Sequence, residues 1–313
     1  MNKIKTILGV VLVMCTLSLS AQTYKVASYN IRLKTAKDDK QGDGWDTRKS
    51  VVFDLIQYHN FDIFGTQEVV HAQLEDLNDA LKGYDYVGVA RDDGKEKGEY
   101  SAIFFKKSKF KVMDSGTFWL SEDTETPNKG WDARYPRVCT WAKLQDKCSK
   151  QVLWFFNTHF DHVGKVARSE SSKLIVEKIK KMAGKDPVVL TGDFNVDQNN
   201  DGYKAMANSG IMRDAYELAA IKHAQNGTIN GFNADRKTPS RIDHIFVSKE
   251  WKVCRYAVLT DAYWTEVDAS AVMESAGNFP TEIKASVYQK RTPSDHYPIA
   301  AEISLTGCGE LCN

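Results

Sequence analysis

The stretch LTGDFNVD, Leu190–Asp197, sets a carboxylate, an aromatic ring and a carboxamide side by side at Asp193, Phe194 and Asn195. The apolar run Pro187, Val188 and Val189 before it predicts a strand. Alternation along that strand points Asp193 and Asn195 to one face and Phe194 to the other. Taken alone the stretch reads as a turn, because Gly, Asp and Asn suit turns. Five other segments repeat its pattern. ASYNIR puts Asn30 and Arg32 on one side of a strand, GTQEV leads to Glu68, and FFNTHFDH ends in Asn157, His159 and Asp161. RIDHIF carries Asp243, and TPSDHYPI carries Asp295 and His296. If these ends share one rim, as ligand sites on layered sheets do, the gathered carboxylates require a cation or a shared proton. Hard oxygen donors suit Mg2+ or Mn2+, with Ca2+ also admitted, better than zinc. Glu68 and Asp295 form the natural carboxylate pair, with Asn30 assisting.

The elements that must position these groups alternate from Tyr24 onward. Short apolar segments rich in β-branched and aromatic residues predict about eleven strands. Helices fit TRKSVVFDLIQYH, with Val51, Val52, Leu55 and Ile56 as one stripe, then HAQLEDLNDALK and ESSKLIVEKIKKMA. No linker, repeat or low-complexity tract divides the chain. The pattern predicts one α/β (α+β) domain over 22–313, a four-layer sandwich of two packed, mainly antiparallel β-sheets flanked by helices. Thr260 to Arg291 is the least regular stretch and reads as a surface insertion.

Residues 1–21 join Lys3 and Lys5 to an apolar run from Ile7 to Leu19 and small residues at Ser18, Ser20 and Ala21. That is the pattern of a secretory signal peptide, too short for a stable membrane span. Export to the periplasm or the extracellular space follows. Met14 before Cys15 argues against lipidation. The formal charge of +1 becomes −1 once Lys3 and Lys5 are removed with the leader. The basic runs KIKK at 178–181 and KEK at 95–97 are short, so nothing global marks a polyanion-coating protein. Without Cys15 the six cysteines become five, an odd number for an exported chain. Cys308 with Cys312 is the expected intrachain pair.

The set SYNI, QE, NTHFDH, TGDFN, IDHIF and SDHYPI, in that order, resembles the endonuclease/exonuclease/phosphatase superfamily across Tyr24 to Leu305. The phrases NTHFDHVG and GWDARYPRVCTW are most similar to its secreted bacterial members without an assigned substrate. The resemblance implies a metal at Asn30, Glu68 and Asp295. It implies that His296 positions or activates the attacking water, with Asp243 orienting its imidazole. His159 would serve phosphate or leaving-group stabilisation. Asp193 would handle a proton and Asn195 would donate to phosphate. Phosphoryl transfer needs those services: an in-line nucleophile, neutralised oxygens and help for the leaving group.

Arg32, Tyr100, Arg137 and Arg168 are candidate phosphate clamps, since Arg suits bidentate contacts and Tyr donates. His59, His71 and His223 read as helix-face or surface residues, Asp161 and His162 as caps of the turn before the following helix, and Trp131 and Trp141 as core. The expected partner is a phosphorylated small molecule or a nucleic acid, with no obligate protein partner evident and no stable membrane insertion. A nuclease should show a basic groove, and a lipid phosphodiesterase an exposed apolar loop such as AYWTEVDASAVM at 262–273. A non-catalytic binding protein with the same fold should have lost one of these polar positions, and none is lost.

Overall fold

The structure, a computed structural model, describes residues 23–267, 274–275, 284–285 and 288–306. The leader at 1–21 and the Cys308–Cys312 pair lie outside the described residues. Within them, Cys254 is disulfide-bonded while Cys139 and Cys148 are free thiols.

Two large sheets carry the fold. In spatial order the seven-stranded sheet runs Ile221–His223, Trp251–Val258, Ile299–Leu305, Thr23–Asn30, Ile63–Gln67, Ile103–Lys106 and Tyr84–Val87. The six-stranded sheet runs Phe110–Trp119, Val138–Asp146, Val152–His159, Val188–Asp193, Asp243–Val247 and Arg213–Asp214. A strand buried on both faces must be apolar on both, and the central strands show how the period of two divides them. Val26, Ile63, Phe155 and Val189 meet between the sheets. Their neighbours Ala27 and Phe64 face outward onto Val52, Leu55 and Ile56 of the helix Trp45–His59 and Leu74 and Leu77 of the helix His71–Ala80. Trp154, Phe156 and Leu190 face the other way, onto Ile175 and Ile179 of the helix Lys165–Ala183. Helix, sheet, sheet, helix is thus the expected sandwich of four layers.

Three strand pairs among the described residues of this mostly antiparallel arrangement are parallel, and two of them set the rim. Thr23–Asn30 runs parallel to Ile63–Gln67 with Asn30 opposite Gln67, and Val152–His159 runs parallel to Val188–Asp193 with His159 opposite Asp193. Four polar strand ends therefore finish on one edge of the sandwich. Asp243, at the start of its antiparallel strand, lies opposite Asp193 and joins them.

Below that edge the sheets are locked by a buried polar seam. Gln67 Nε2 donates to Asn157 Oδ1 at 2.7 Å, Thr191 Oγ1 donates to the same oxygen at 3.0 Å, and Asn157 Nδ2 donates to the carbonyls of Thr66 and Ala102. Asn157, taken from the sequence as a rim residue, is therefore a strut between the sheets. Gly65 faces it, and a Cβ there would collide with Asn157 Oδ1 and Thr191 Oγ1.

The strand pattern understates the small elements. Arg213–Asp214 and Ile221–His223 are too short to show a period, and Tyr263–Glu266 pairs with Tyr288–Arg291 as a separate hairpin inside the irregular stretch. Phe194 behaves as alternation requires: it is buried, with its ring 4.9 Å from Phe160 and 5.4 Å from Phe246. Removing a ring from such a site leaves a cavity. Phe194→Ala is expected to lower stability by about 3–5 kcal/mol in urea denaturation.

Candidate active site

The rim is built where three strands stop, and the chain turns there through backbone conformations that few residues tolerate. Arg32, Glu68 and Asn195 have φ of 59°, 63° and 48°, in the left-handed region. Such conformations cost free energy for residues with a Cβ, least for Asn, and persist only where the surroundings fix them. Each bend aims a polar side chain into one cleft. Its lining includes Arg32, Glu68, Arg91, Glu99, Tyr135, Arg137, His159, His162, Asp193, Asn195 and His296.

At one end lie the groups expected to hold a metal. Asn30 Nδ2 donates to Glu68 Oε1 at 3.1 Å and to Asp193 Oδ2 at 3.0 Å, so it touches both the proposed metal pair and the proposed proton-handling residue. Arg32, expected to clamp substrate, is held by Asp38 at 2.9 Å and reaches 3.8 Å from Glu68 Oε2 and 3.7 Å from Asp295 Oδ2. Glu68 and Asp295 thus flank a guanidinium. Burial pushes the Asp295 carboxyl up, the nearby Glu68 adds repulsion, and His296 and Arg32 oppose both. Two carboxylates flanking one guanidinium, with burial driving Asp295 toward its neutral form, leave acidic oxygens that a divalent cation would stabilise, while Asn30 turns its Nδ2 toward them and its Oδ1 toward the Arg32 amide. Arg48, fully buried, fixes this end from behind by donating to the carbonyls of Ile31, Arg32, Asp43 and Pro293.

The centre of the cleft is a row of titratable groups. Glu68, His159 and Asp193 offer ligand atoms within 4.8 Å of one another, and so do Asp193, Asp243 and His296; Asp295 belongs to neither group. Asp193 is common to both. His296 Nδ1 lies 2.9 Å from Asp243 Oδ2, and its Nε2 lies 3.8 Å from Asp193 Oδ2. Burial works against the His296 imidazolium, but Asp243 and Asp193 carry it well above its ordinary value. Burial and the Asp243 carboxylate push Asp193 up to about 7, opposed by His296 and by hydrogen bonds from the Asn195 amide and Asn30. Burial, then Arg137 and Arg91, drive His159 well below its ordinary value, so its ring is neutral. Asn195 Nδ2 donates to the Phe160 carbonyl at 3.0 Å and lies 3.1 Å from His159 Nε2, which assigns the His159 proton to Nδ1.

Two expected clamps sit elsewhere. Tyr100 is buried and donates to the Lys95 carbonyl, and Arg168 donates from its helix to the Asp161 carbonyl; neither lines the cleft. Arg137 does line it, held by Asp161 at 3.4 Å and by His162 Nδ1 at 3.1 Å. Asp161 caps the turn before the helix Lys165–Ala183, accepting from the amides of Val163 and Gly164. His162 lines the cleft as well. Sequence reading missed Arg91, Glu99 and Tyr135, which come from loops whose charged residues look like solvated surface. Tyr135 falls within the phrase GWDARYPRVCTW, whereas Arg91 and Glu99 lie between Tyr84–Val87 and Ile103–Lys106, strands whose ends carried no polar pattern.

A family model described as the Endonuclease/Exonuclease/phosphatase family matches residues 27–296. The chain belongs to that family. The family is divalent-metal dependent, and the cluster of Glu68, His159 and Asp193 is one that could hold such an ion. Among solved structures, a family protein of Bacteroides thetaiotaomicron is 47% identical, with a TM-score of 0.83 over 90% of this chain and 98% of that chain. The mannosyl-6-phosphatase Bt3783 of Bacteroides thetaiotaomicron VPI-5482 is also 47% identical, with a TM-score of 0.81 over 90% of this chain and 99% of that one. An uncharacterized protein of Acanthamoeba polyphaga mimivirus is 29% identical over 161 residues, covering 49% of this chain. The chain spans only 60% of that viral relative and 39% of a second one.

The Asp161 cap gives the cleft wall a pH signature. Burial alone would raise its carboxyl, yet the amides of Gly164, Val163 and Arg134 and the Arg137 guanidinium hold it well below its usual range. A folded-state value below the unfolded one contributes stability that is present above the ordinary carboxylate range and lost as pH falls. Asp161→Asn is expected to cost roughly 1–3 kcal/mol near neutral pH. The melting-temperature gap to the parent should close as pH drops below about 4.

Proposed function

We propose that the protein is an exported, divalent-metal-dependent hydrolase of phosphomonoesters. The observation that carries the reading is the row Asp243, His296, Asp193 beside the amide donor of Asn195, reached from the metal end through Asn30. Similarity to a mannosyl-6-phosphatase over nearly the whole of both chains supports a monoester as the substrate. The leader pattern with Lys3, Lys5 and the apolar run after them supports export to the periplasm or beyond.

Asn30, Glu68 and Asp295 would hold the cation, which would supply positive charge to the phosphate oxygens. The rest falls to side chains. Asp243 keeps His296 in the imidazolium form, which donates a hydrogen bond to a phosphate oxygen and offsets charge there. Asp193, with a proton affinity matched to neutral pH, takes the proton from the attacking water. Asn195 adds a neutral amide donor whose direction is fixed by the Phe160 carbonyl and His159. His159, neutral and buried, contributes orientation without a competing charge. This division assigns proton uptake to Asp193 and electrostatic stabilisation to His296.

Turnover of p-nitrophenyl phosphate is expected to vanish with chelator, to return with Mg2+ or Mn2+, and to fall by about a hundredfold or more in His296→Ala. Activity indifferent to both treatments would sink the proposal. Because Asn195 has φ of 48°, Asn195→Gly removes the carboxamide without backbone strain. It should lower kcat by about a hundredfold while leaving the melting temperature close to the parent value.

A further inference from the structure

We propose that the end of the cleft beyond His159 is a sugar-reading subsite, in which Arg91, Glu99, Tyr135 and His162 bind the hydroxyl-bearing body attached to the phosphate. The inference rests on the phosphoesterase reading above and assigns the part of the substrate which that reading leaves open. The four residues are contiguous with the reacting centre. His159 Nε2 faces Asn195, and its Nδ1 lies 3.7 Å from Glu99 Oε2. Glu99 accepts from Arg91 Nη1 at 2.7 Å. The Arg91 guanidinium sits 5.2 Å over the ring of Tyr135, and that ring stacks on His162 at 6.0 Å with 23° between planes. His162 then meets Arg137 at 3.1 Å.

The charge balance here excludes a second phosphate. Arg91 is neutralised by Glu99 and Arg137 by Asp161, so an added anion would have to displace a buried ion pair. What is left over is hydrogen-bonding capacity. Arg91 Nε and Arg137 Nη1 are buried with no hydrogen-bond partner among the described residues, the nearest charge to Arg91 Nε being the Asp92 carboxylate at 3.7 Å. A buried donor without a partner is costly and marks a place where a ligand or an ordered water belongs. A planar donor fork beside a carboxylate matches adjacent hydroxyls, each of which donates and accepts. Tyr135, 41% exposed, offers an aromatic face of the kind on which a sugar ring packs its C–H side. A lipid chain would need apolar walls here, and a nucleobase a deeper aromatic slot. Charged side chains, Arg91, Glu99 and Arg137, occupy those places instead.

The test compares kcat/KM of the metal-loaded full chain for hexose 6-phosphates, for their monodeoxy forms, and for n-hexyl phosphate, which has the same carbon count and no ring hydroxyls. p-Nitrophenyl phosphate serves as the reference for catalysis. The parent should prefer a hexose 6-phosphate to hexyl phosphate by roughly tenfold or more, because unpaired buried groups penalise the analogue lacking hydroxyls. Glu99→Gln, Arg91→Met and Tyr135→Ala should each collapse that ratio toward one, with the loss appearing chiefly in KM. Tyr135 is partly exposed, so its replacement keeps the test alive should the other two variants fold poorly. Variants that slow both substrates in proportion would overturn the subsite, as would a parent that turns over hexyl and p-nitrophenyl phosphate as well as any sugar phosphate. A parent inactive on every ester with metal present would overturn the phosphoesterase reading itself.

Discussion

The hydrogen bond from Asn30 to Asp193 joins the two sheets at the rim, and the rest of the site depends on it. Asn30 ends the strand Thr23–Asn30 of the seven-stranded sheet, and Asp193 ends the strand Val188–Asp193 of the six-stranded one. Nothing in apolar packing fixes how far apart two sheets stand at their edge. A buried amide bonded to a buried carboxylate does, because neither group can be left without a partner at acceptable cost. The Gln67, Asn157 and Thr191 seam below repeats the constraint one layer down, and Gly65 leaves the space it needs. Sheet register, intersheet distance and the position of the reacting groups are therefore one property.

That constraint also explains how so much electrostatic and conformational cost collects in one place. Three residues at the rim adopt left-handed backbone conformations, and Asp193 has its carboxyl pushed up to about 7 by burial and by a second buried carboxylate beside it. Isolated, each feature would relax. Here the strand ends are clamped by the seam beneath and by Arg48 behind, which donates to the carbonyls on either side of the metal end. The large apolar layers supply the stability, and the rim draws on it to hold groups ready for charge that develops elsewhere.

Much of this was legible in the sequence, for physical reasons that differ between elements. Central strands such as Val152–His159 announce themselves because burial on both faces demands unbroken apolar runs, and the parallel ends follow from the helices between them. The rim residues were legible because carboxylates, carboxamides and imidazoles at the ends of such runs have no packing reason to be there. The same logic misplaced Asn157, a polar residue near a strand end that proves to face the other sheet. It had nothing to say about Arg91, Glu99 and Tyr135, because a loop residue's neighbours are set by tertiary closure and not by period. Tyr100 and Arg168 were chosen for chemical type alone, and type without a positioning element is weak evidence.

The first described strand, Thr23–Asn30, sits in the middle of its sheet between Ile63–Gln67 and Ile299–Leu305, with Thr23 opposite Ser304. During synthesis Thr23–Asn30 emerges long before Ile299–Leu305, so one of its edges stays open until that strand has been made. An open central edge is a template for pairing with other chains. The arrangement also makes assembly non-local, since loop closure across nearly the whole chain must precede the final ladder. The same clasp that brings Asn30 and His296 to one rim therefore leaves that edge exposed for most of the chain's synthesis.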